Sequence, residues 1–302
     1  ILPDNINESN HNNCIGCLSP EINQIDTVAY LCQCKKCELI FDTPQPLLDS
    51  IRDYYSQPQQ YDHWLSQINE REKLWKRRIQ TFRSCLVGSS ILDIGAGIGQ
   101  FLSLLEGIIP IREGTELSGR AFQIAREKYN INLYNGDISD IILDRKYDVI
   151  TLFHVLEHVT KPFDLMLRCS ELLNKNGILL VAVPNDQDSF RNKLKGFLSP
   201  FLKVYCPKRF KYLGHLGLPR IMSDISLHEL HLSHWNFNSL EKCFTLNGFE
   251  IVEMKLDPYY VATGIKLIFE KNFYRTCQLI YHIFGYNGYD TCAVVLRKKN
   301  VI

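Results

Sequence analysis

The residues of this chain that could do chemistry fall into three groups. The first is "ILDIGAGIGQF", where Asp93, Gly95, Gly97 and Gly99 lie between an apolar run and an amphipathic one. Alternate glycines let a ligand approach the backbone, and the start of a following helix favours negative charge. A dinucleotide fingerprint needs G-x-G-x-x-G. Here the third glycine comes two residues after the second, Gln100 follows it, and Asp93 would repel a pyrophosphate. Glu116, with Leu117 beside it, ends "PIREGTE", and Asp137 stands in "NGDIS". A carboxylate at the first position can accept hydrogen bonds from ribose hydroxyls; one at the second can accept from an exocyclic amine.

The second group is histidine. "VITLFHVLEHV" closes an apolar run with His154, Glu157 and His158, and the two histidines share a face if a helical turn follows. "HELHLSHW" adds His228, Glu229, His231 and His234, and His215 stands alone upstream. Histidine titrates near neutral pH and can take the proton of an acceptor hydroxyl. A metal held by these histidines with Glu229 is an alternative reading. The plainer reading of His158 is a helix-entry residue bonded to backbone.

The third group is cysteine. Cys14-x-x-Cys17 and Cys34-x-x-Cys37 are paired with sixteen residues between them. Four thiolates at that spacing can surround a zinc ion tetrahedrally and leave no open position, so such a metal is structural. Cys32 is a spare. Leu18 and Glu38 occupy the positions after each second cysteine, where a zinc ribbon usually has glycine. The other six of the eleven cysteines are scattered singly, which argues against a secreted disulfide framework and for a reducing, cytoplasmic setting.

Strands and helices must carry these groups. From residue 90, short apolar runs alternate with amphipathic segments: "SILDIGAG", "GQFLSLLEG", "PIREGTELS", "GRAFQIAREKYN", "INLYNGDI", "YDVITLFHV", "KPFDLMLRCSELLNKNG" and "ILLVAVPN". That alternation predicts a parallel sheet covered on both faces, doubly wound by right-handed crossovers. The acids then fall at the carboxyl ends of consecutive strands, where open α/β sheets bind ligands. Between about 186 and 235 the alternation stops and Pro, Gly and aromatic residues dominate, which predicts an inserted lid. A helix and strand in "NFNSLEKCFTLNGFEIVEMKLD", a helix in "GIKLIFEKNFYRTCQLIYHIFG" and a strand in "YDTCAVVLRKK" complete the domain. Residues 46–88 read as a helical linker, in which Tyr54, Tyr55, Tyr61 and Trp64 pack, or stack on a carbohydrate.

Composition narrows the partners. Hydrophobic content of 45% and charged content of 22% are those of a globular protein, and a net charge of +1 gives no field to hold nucleic acid. No apolar run is long enough for a membrane span. No basic-then-apolar leader is read, and the chain opens on Ile1, which leaves room for residues upstream.

The blocks "ILDIGAGIGQF", "GTELSGRAFQIAREKY", "NGDIS", "YDVITLFHVLEHV", "LLNKNGILLVAVPN" and "ELHLSHWNFNSLEKCFTLNGFEI" together resemble a class I S-adenosylmethionine-dependent methyltransferase over residues 89–255 and on to the closing strand. The resemblance implies a Rossmann-like seven-stranded sheet. It implies that Asp93, Gly95, Gly97 and Gly99 frame the methionine part of S-adenosylmethionine and that Glu116 binds its ribose. It further implies that Asp137 and Ile138 flank adenine and that Phe153 and His154 line the methyl-donor side. A sulfonium suits a site with carboxylates and no pyrophosphate. "HLSHW" matches the block beside the acceptor pocket in that family, which makes His231 and His234 the leading base or positioning candidates. The pattern C-x-x-C, C-x-x-C, P-x-P, YY before such a domain is similar to a bacterial group that modifies sugars and small biosynthetic intermediates. The expectation is therefore an O-methyltransferase with a zinc-ribbon-like module over 1–45, a linker over 46–88 and the catalytic domain over 89–302. The rival readings are a methyltransferase acting on RNA or protein through the zinc module, and a binding protein that keeps the fold.

Overall fold

A computed structural model of the chain describes residues 8–9, 11–27, 30–47, 49, 51, 54, 65–210, 213–214, 216–218 and 230–299. Tyr55, Tyr61, Trp64, His215, His228 and Glu229 lie outside the described residues.

Seven strands form the central sheet: β6 (Ser90–Ile94), β7 (Ile111–Glu116), β8 (Leu133–Asn135), β9 (Tyr147–Phe153), β10 (Leu173–Pro184), β12 (Phe249–Lys255) and β13 (Thr291–Lys298). Their spatial order is β12-β13-β10-β9-β6-β7-β8. β10, β9, β6, β7 and β8 run parallel, as expected, but β13 is antiparallel to both of its neighbours. β13 slots between β10 and β12 after the long helix α8 (Gly264–Phe284), so the sheet is mixed.

The strands are apolar along their whole length because both faces are covered. Leu92, Ile94, Ile150 and Leu152 point to one face, and Ile91, Val149 and Phe153 to the other. The first face is packed by α4 (Pro162–Leu172) and α7 (Phe237–Leu246) through Met166, Cys169, Leu240 and Phe244. The second is packed by α1 (Ile68–Thr81) and by the segment that opens with α2 (Gln100–Ser103), through Trp75, Phe101 and Leu105. α3 (Gly119–Tyr129) covers the edge near β8, its N-terminus capped by the Ser118 hydroxyl, which accepts from Ala121 N–H.

The cysteine segment joins the first face. Strands β2 (Ile22–Asp26), β3 (Leu31–Cys34) and β4 (Ile40–Asp42) form a small antiparallel sheet. Its fourth strand is β11 (Ser233–His234), from the "HLSHW" block far along the chain. Cys14, Ile15, Leu39 and Phe41 share one core with Leu152, Val183 and Phe244. The short β1 (Glu8–Ser9) pairs with β5 (Gln45–Pro46) beside it.

Within the stretch read from sequence as an inserted lid, the chain forms α5 (Phe190–Tyr205), which runs through Pro200, and a single turn α6 (Pro207–Phe210).

Candidate active site

After β6 the chain turns sharply, and Gly95, Gly97 and Gly99 all take left-handed conformations, with φ of 72°, 55° and 73°. At Gly95 a side chain is excluded twice over, because a Cβ there would lie 2.5 Å from Val155 Cγ2. The turn is anchored to the next strand: Gly95 and Ala96 N–H both donate to the Thr115 carbonyl at 2.9 Å. Glu116, the last residue of β7, accepts from Gly97 N–H and from Ser118 N–H, each at 2.8 Å. Two backbone donors thus fix one buried carboxylate against the glycine turn. Asp137, one strand further, accepts from the amide and hydroxyl of Ser139, and Ile138 is buried beside it.

Asp93 lies beneath the turn. The register that sets Asp93 against Thr151 lets the threonine hydroxyl donate to its carboxylate at 2.6 Å. Burial pushes the Asp93 carboxyl up to about 7, although the Thr151 bond and the nearby Arg78 charge work the other way. Asp93 therefore braces the strand end from below.

A buried aromatic cluster shares one core with Ala96 of the turn. Trp75, Phe101 and Phe153 have ring centroids 5.1–5.4 Å apart. The Arg78 guanidinium packs 4.8 Å from the Phe153 ring and 5.0 Å from Tyr259. It is fully buried and makes a bidentate pair with Asp257, Nε donating at 2.8 Å and a terminal nitrogen bonding the other oxygen. Trp75, Arg78, Asp257 and Tyr259 are site residues that sequence reasoning did not find. Arg78 and Asp257 are 179 positions apart, and a polar helix with an arginine on it carries no local sign of this pairing.

At the end of β9 the chain turns left-handed at His154, with φ of 57°. That conformation costs about 1–2 kcal/mol for a non-glycine residue. It is held because His154 N–H donates to the Ala182 carbonyl at 2.8 Å and the ring stacks on Tyr259 with centroids 4.4 Å apart. The turn Leu156–His158 follows. His154 Nδ1 donates to Glu157 Oε1 at 3.2 Å, and its Nε2 lies 3.6 Å from Asp257. Burial works against its charge, but the Asp257 and Glu157 carboxylates beside it outweigh that and hold the imidazole above its ordinary value. His158 Nδ1 donates to the Leu230 carbonyl at 2.6 Å, the backbone bond expected of it, while its Nε2 lies 3.7 Å from Glu157.

The "HLSHW" histidines converge on Asp186, just past β10. His231 Nδ1 donates to Asp186 Oδ2 at 3.2 Å and His234 Nδ1 to the same oxygen at 2.9 Å. His234 Nε2 donates to Asp42 of β4 at 2.9 Å, so both of its nitrogens are engaged and the ring is buried. Burial lowers its basicity, yet the two carboxylates prevail and bring it up to about 9. Burial alone would raise Asp186, but His231 and His234 hold its carboxyl far below the usual range. His231 is the more exposed histidine, its ring 5.1 Å from that of His158. Two sets, Glu157–His158–His231 and Asp186–His231–His234, bring three ligand atoms each within 4.8 Å.

The four expected cysteines also meet. Their sulfurs lie within 4.8 Å of one another, Cys14 to Cys37 at 3.5 Å and Cys17 to Cys34 at 3.6 Å. A tetrahedral shell with Zn–S of about 2.3 Å separates sulfurs by roughly 3.8 Å, so the cage is close to the size of that ion. Amides of Gly16 and Lys36 donate to Cys14 and Cys34, which suits thiolates. Leu18 and Glu38 take φ of 59° and 60°, the left-handed turn for which a ribbon normally uses glycine. Cys32 stands outside the set, in the pairing between β3 and β4.

A glycine turn at the first strand, a carboxylate at the end of the second and the observed strand order define a class I S-adenosylmethionine-dependent methyltransferase. A methyltransferase-domain family model matches residues 65–254, and the chain belongs to that family. It is 25% identical over 190 residues to the ubiquinone biosynthesis O-methyltransferase of Haemophilus ducreyi, covering 56% of this chain and 78% of that enzyme. To the enzyme of the same name from Glaesserella parasuis it is 30% identical over 111 residues, 33% of this chain and 47% of that one, so this match spans about half of the relative's length. The fold is shared with a magnesium protoporphyrin IX methyltransferase from Synechocystis, solved with bound S-adenosylhomocysteine: TM-score 0.52, 13% identity, 82% of this chain and 98% of that one. It is shared also with a methyltransferase from Thermotoga maritima: TM-score 0.51, 16% identity, 82% and 100%.

The residues present fit S-adenosylmethionine. A glycine cradle that a Cβ would fill, a carboxylate fixed at the end of the second strand and several buried carboxylates near one paired arginine suit a cationic ligand without phosphates.

Proposed function

We propose that this chain transfers a methyl group from S-adenosylmethionine to a hydroxyl of a small biosynthetic metabolite, in the cytoplasm, and carries one structural zinc ion. The observation that carries the reading is Glu116, clamped by Gly97 and Ser118 N–H against the glycine turn. Glu116 and Leu117 take the ribose, Asp137 and Ile138 the adenine, and Gly95, Gly97 and Gly99 the methionine part, with Asp93 bracing the turn. S-adenosylmethionine supplies an electrophilic methyl carbon. The protein's task is to align the acceptor oxygen and accept its proton.

Phe153 and His154 wall the methyl-donor side. His231 takes the acceptor proton, and Asp186, already bonded to its Nδ1, stabilises the imidazolium that results. His234, with both nitrogens committed, fixes Asp186 rather than exchanging protons itself. The relatives' names support O-methylation of a small molecule; a sugar acceptor rests on the N-terminal cysteine pattern. Cys14, Cys17, Cys34 and Cys37 hold the zinc, which pins β4 and, through its pairing with β11, the "HLSHW" block.

A second reading of the histidines rests on the convergence of Glu157, His158 and His231. These residues could hold a divalent cation beside the acceptor. Metal analysis of a Cys34→Ser variant separates the readings, since a metal retained there belongs to the histidine set.

Methyl transfer from labelled S-adenosylmethionine to a panel of hydroxylated metabolites tests the main reading. His231→Ala should lower kcat far more than cofactor affinity; unchanged turnover in that variant would refute its assignment.

A further inference from the structure

Two helices leave long apolar faces in solvent, and both grow from the loops that build the site. α5 starts at Phe190, one turn after Asp186, with Ser189 capping it. α8 starts at Gly264, shortly after Tyr259, the ring on which His154 stacks. The helices are joined near their beginnings: Arg191 donates to Glu270 at 2.9 Å and lies 4.4 Å over the Phe273 ring.

On α5, Leu194, Phe197, Phe201, Val204 and Tyr205 recur at helical spacing on one face and are 58–80% exposed. On α8, Ile265, Phe269, Leu279 and Ile283 do the same at 59–73%. Scattered apolar residues on a surface need no explanation, but a continuous stripe on α5 and clusters of large apolar side chains at both ends of one face of α8, with Asn272 and Thr276 between them, do. The charge on these helices says what they face. Together they hold seven Lys and Arg against one acid, Glu270, in a chain whose net charge is +1. Arg191 and Lys193 are spent on ion pairs with Asp290, Glu270 and Asp188. Lys195, Lys203, Lys266, Lys271 and Arg275 make no ion pair among the described residues. Bulky apolar side chains flanked by uncompensated cations fit an anionic lipid surface, into which the rings insert while the basic heads meet phosphate.

We infer that α5 and α8 dock this protein on an anionic phospholipid membrane, with the active site facing the bilayer. No described helix is long and apolar enough to cross a membrane, so the contact is interfacial. Docking in this orientation delivers amphiphilic or lipid-linked acceptors to His231 directly from the bilayer surface.

The test is flotation of the full chain with vesicles of phosphatidylglycerol and phosphatidylcholine in equal parts, beside vesicles of phosphatidylcholine alone. Binding is expected to the anionic vesicles and to fall steeply with salt. Each Lys or Arg near such a surface is worth about fivefold in partitioning, so a Lys266→Gln, Arg275→Gln variant should bind about 25-fold more weakly. Phe197→Ser with Phe201→Ser should weaken binding at least about tenfold while the circular dichroism spectrum is unchanged. Lack of flotation, or equal binding to both vesicle types, would overturn the inference. So would a sedimentation experiment in which these phenylalanines hold two copies of the chain together and no vesicle is bound. The readout is lipid binding, so it stands or falls separately from methyl transfer.

Discussion

Replacing Asp186 with Asn removes the carboxylate shared by His231 and His234 while keeping its shape. His234 is buried between Asp186 and Asp42, and raising it from its ordinary 6.5 to about 9 corresponds to about 3 kcal/mol of stabilisation of the charged ring. Because the folded-state value is raised, that stabilisation is complete below the unfolded value of 6.5 and disappears as pH climbs through 9. Losing one of the two carboxylates removes roughly half of it, and His231 loses its partner too. The expected cost at about pH 6 is roughly 2–4 kcal/mol, overlapping the range of about 3–5 kcal/mol for breaking one side of a buried ion pair. Urea unfolding followed by tryptophan fluorescence near pH 6, 8 and 10 measures this directly. The wild-type chain should lose about 3 kcal/mol more than His234→Gln between the first and last of these, and Asp186→Asn should fall between them. An Asp186→Asn variant as stable as wild type near pH 6, or a His234→Gln variant with the wild-type pH dependence, would refute the charged bridge.

Three further outcomes are expected. Elemental analysis should find one zinc per chain from the Cys14, Cys17, Cys34 and Cys37 set, and Cys34→Ser should lose it together with several kcal/mol of stability, roughly as for other small zinc sites; a metal-free chain of unchanged melting temperature would contradict the zinc assignment. Gly95→Ala meets both a φ of 72° and the Val155 side chain, so it should cost about 1–3 kcal/mol and distort the turn enough to weaken S-adenosylmethionine binding; wild-type affinity would show that the turn tolerates a side chain. Arg78→Met leaves Asp257 buried without its charge partner and should destabilise the chain by about 3–5 kcal/mol, measured by thermal unfolding, whereas an unshifted melting temperature would mean that Asp257 is neutral.

Much of the fold and the shape of the glycine turn were legible because their signals are local. Gly95, Gly97 and Gly99 mark the turn through backbone conformations that other residues resist, and the acids recur where parallel strands end. The cysteine knuckles were equally plain, and even the departures from glycine at Leu18 and Glu38 kept the left-handed turn. What stayed hidden depends on distance along the chain. His234 pairs with Asp42, 192 residues away, and Arg78 finds Asp257 across 179. β13 was expected as the closing strand, but its antiparallel direction was not, because an apolar run carries no direction. α5 was concealed by Gly196 and Pro200, which read as breakers, although Leu194, Phe197, Phe201 and Val204 keep helical spacing through them.

The most direct measurement is calorimetric titration of the chain with S-adenosylmethionine, and with its demethylated product, in wild type and Glu116→Gln. One molecule should bind per chain, and the variant should bind at least about tenfold more weakly, because a hydrogen bond to a charged carboxylate is worth about 1.5–3 kcal/mol. Absence of binding by the wild type, or equal affinity in the two proteins, would contradict the placement of the cofactor between the glycine turn and Glu116.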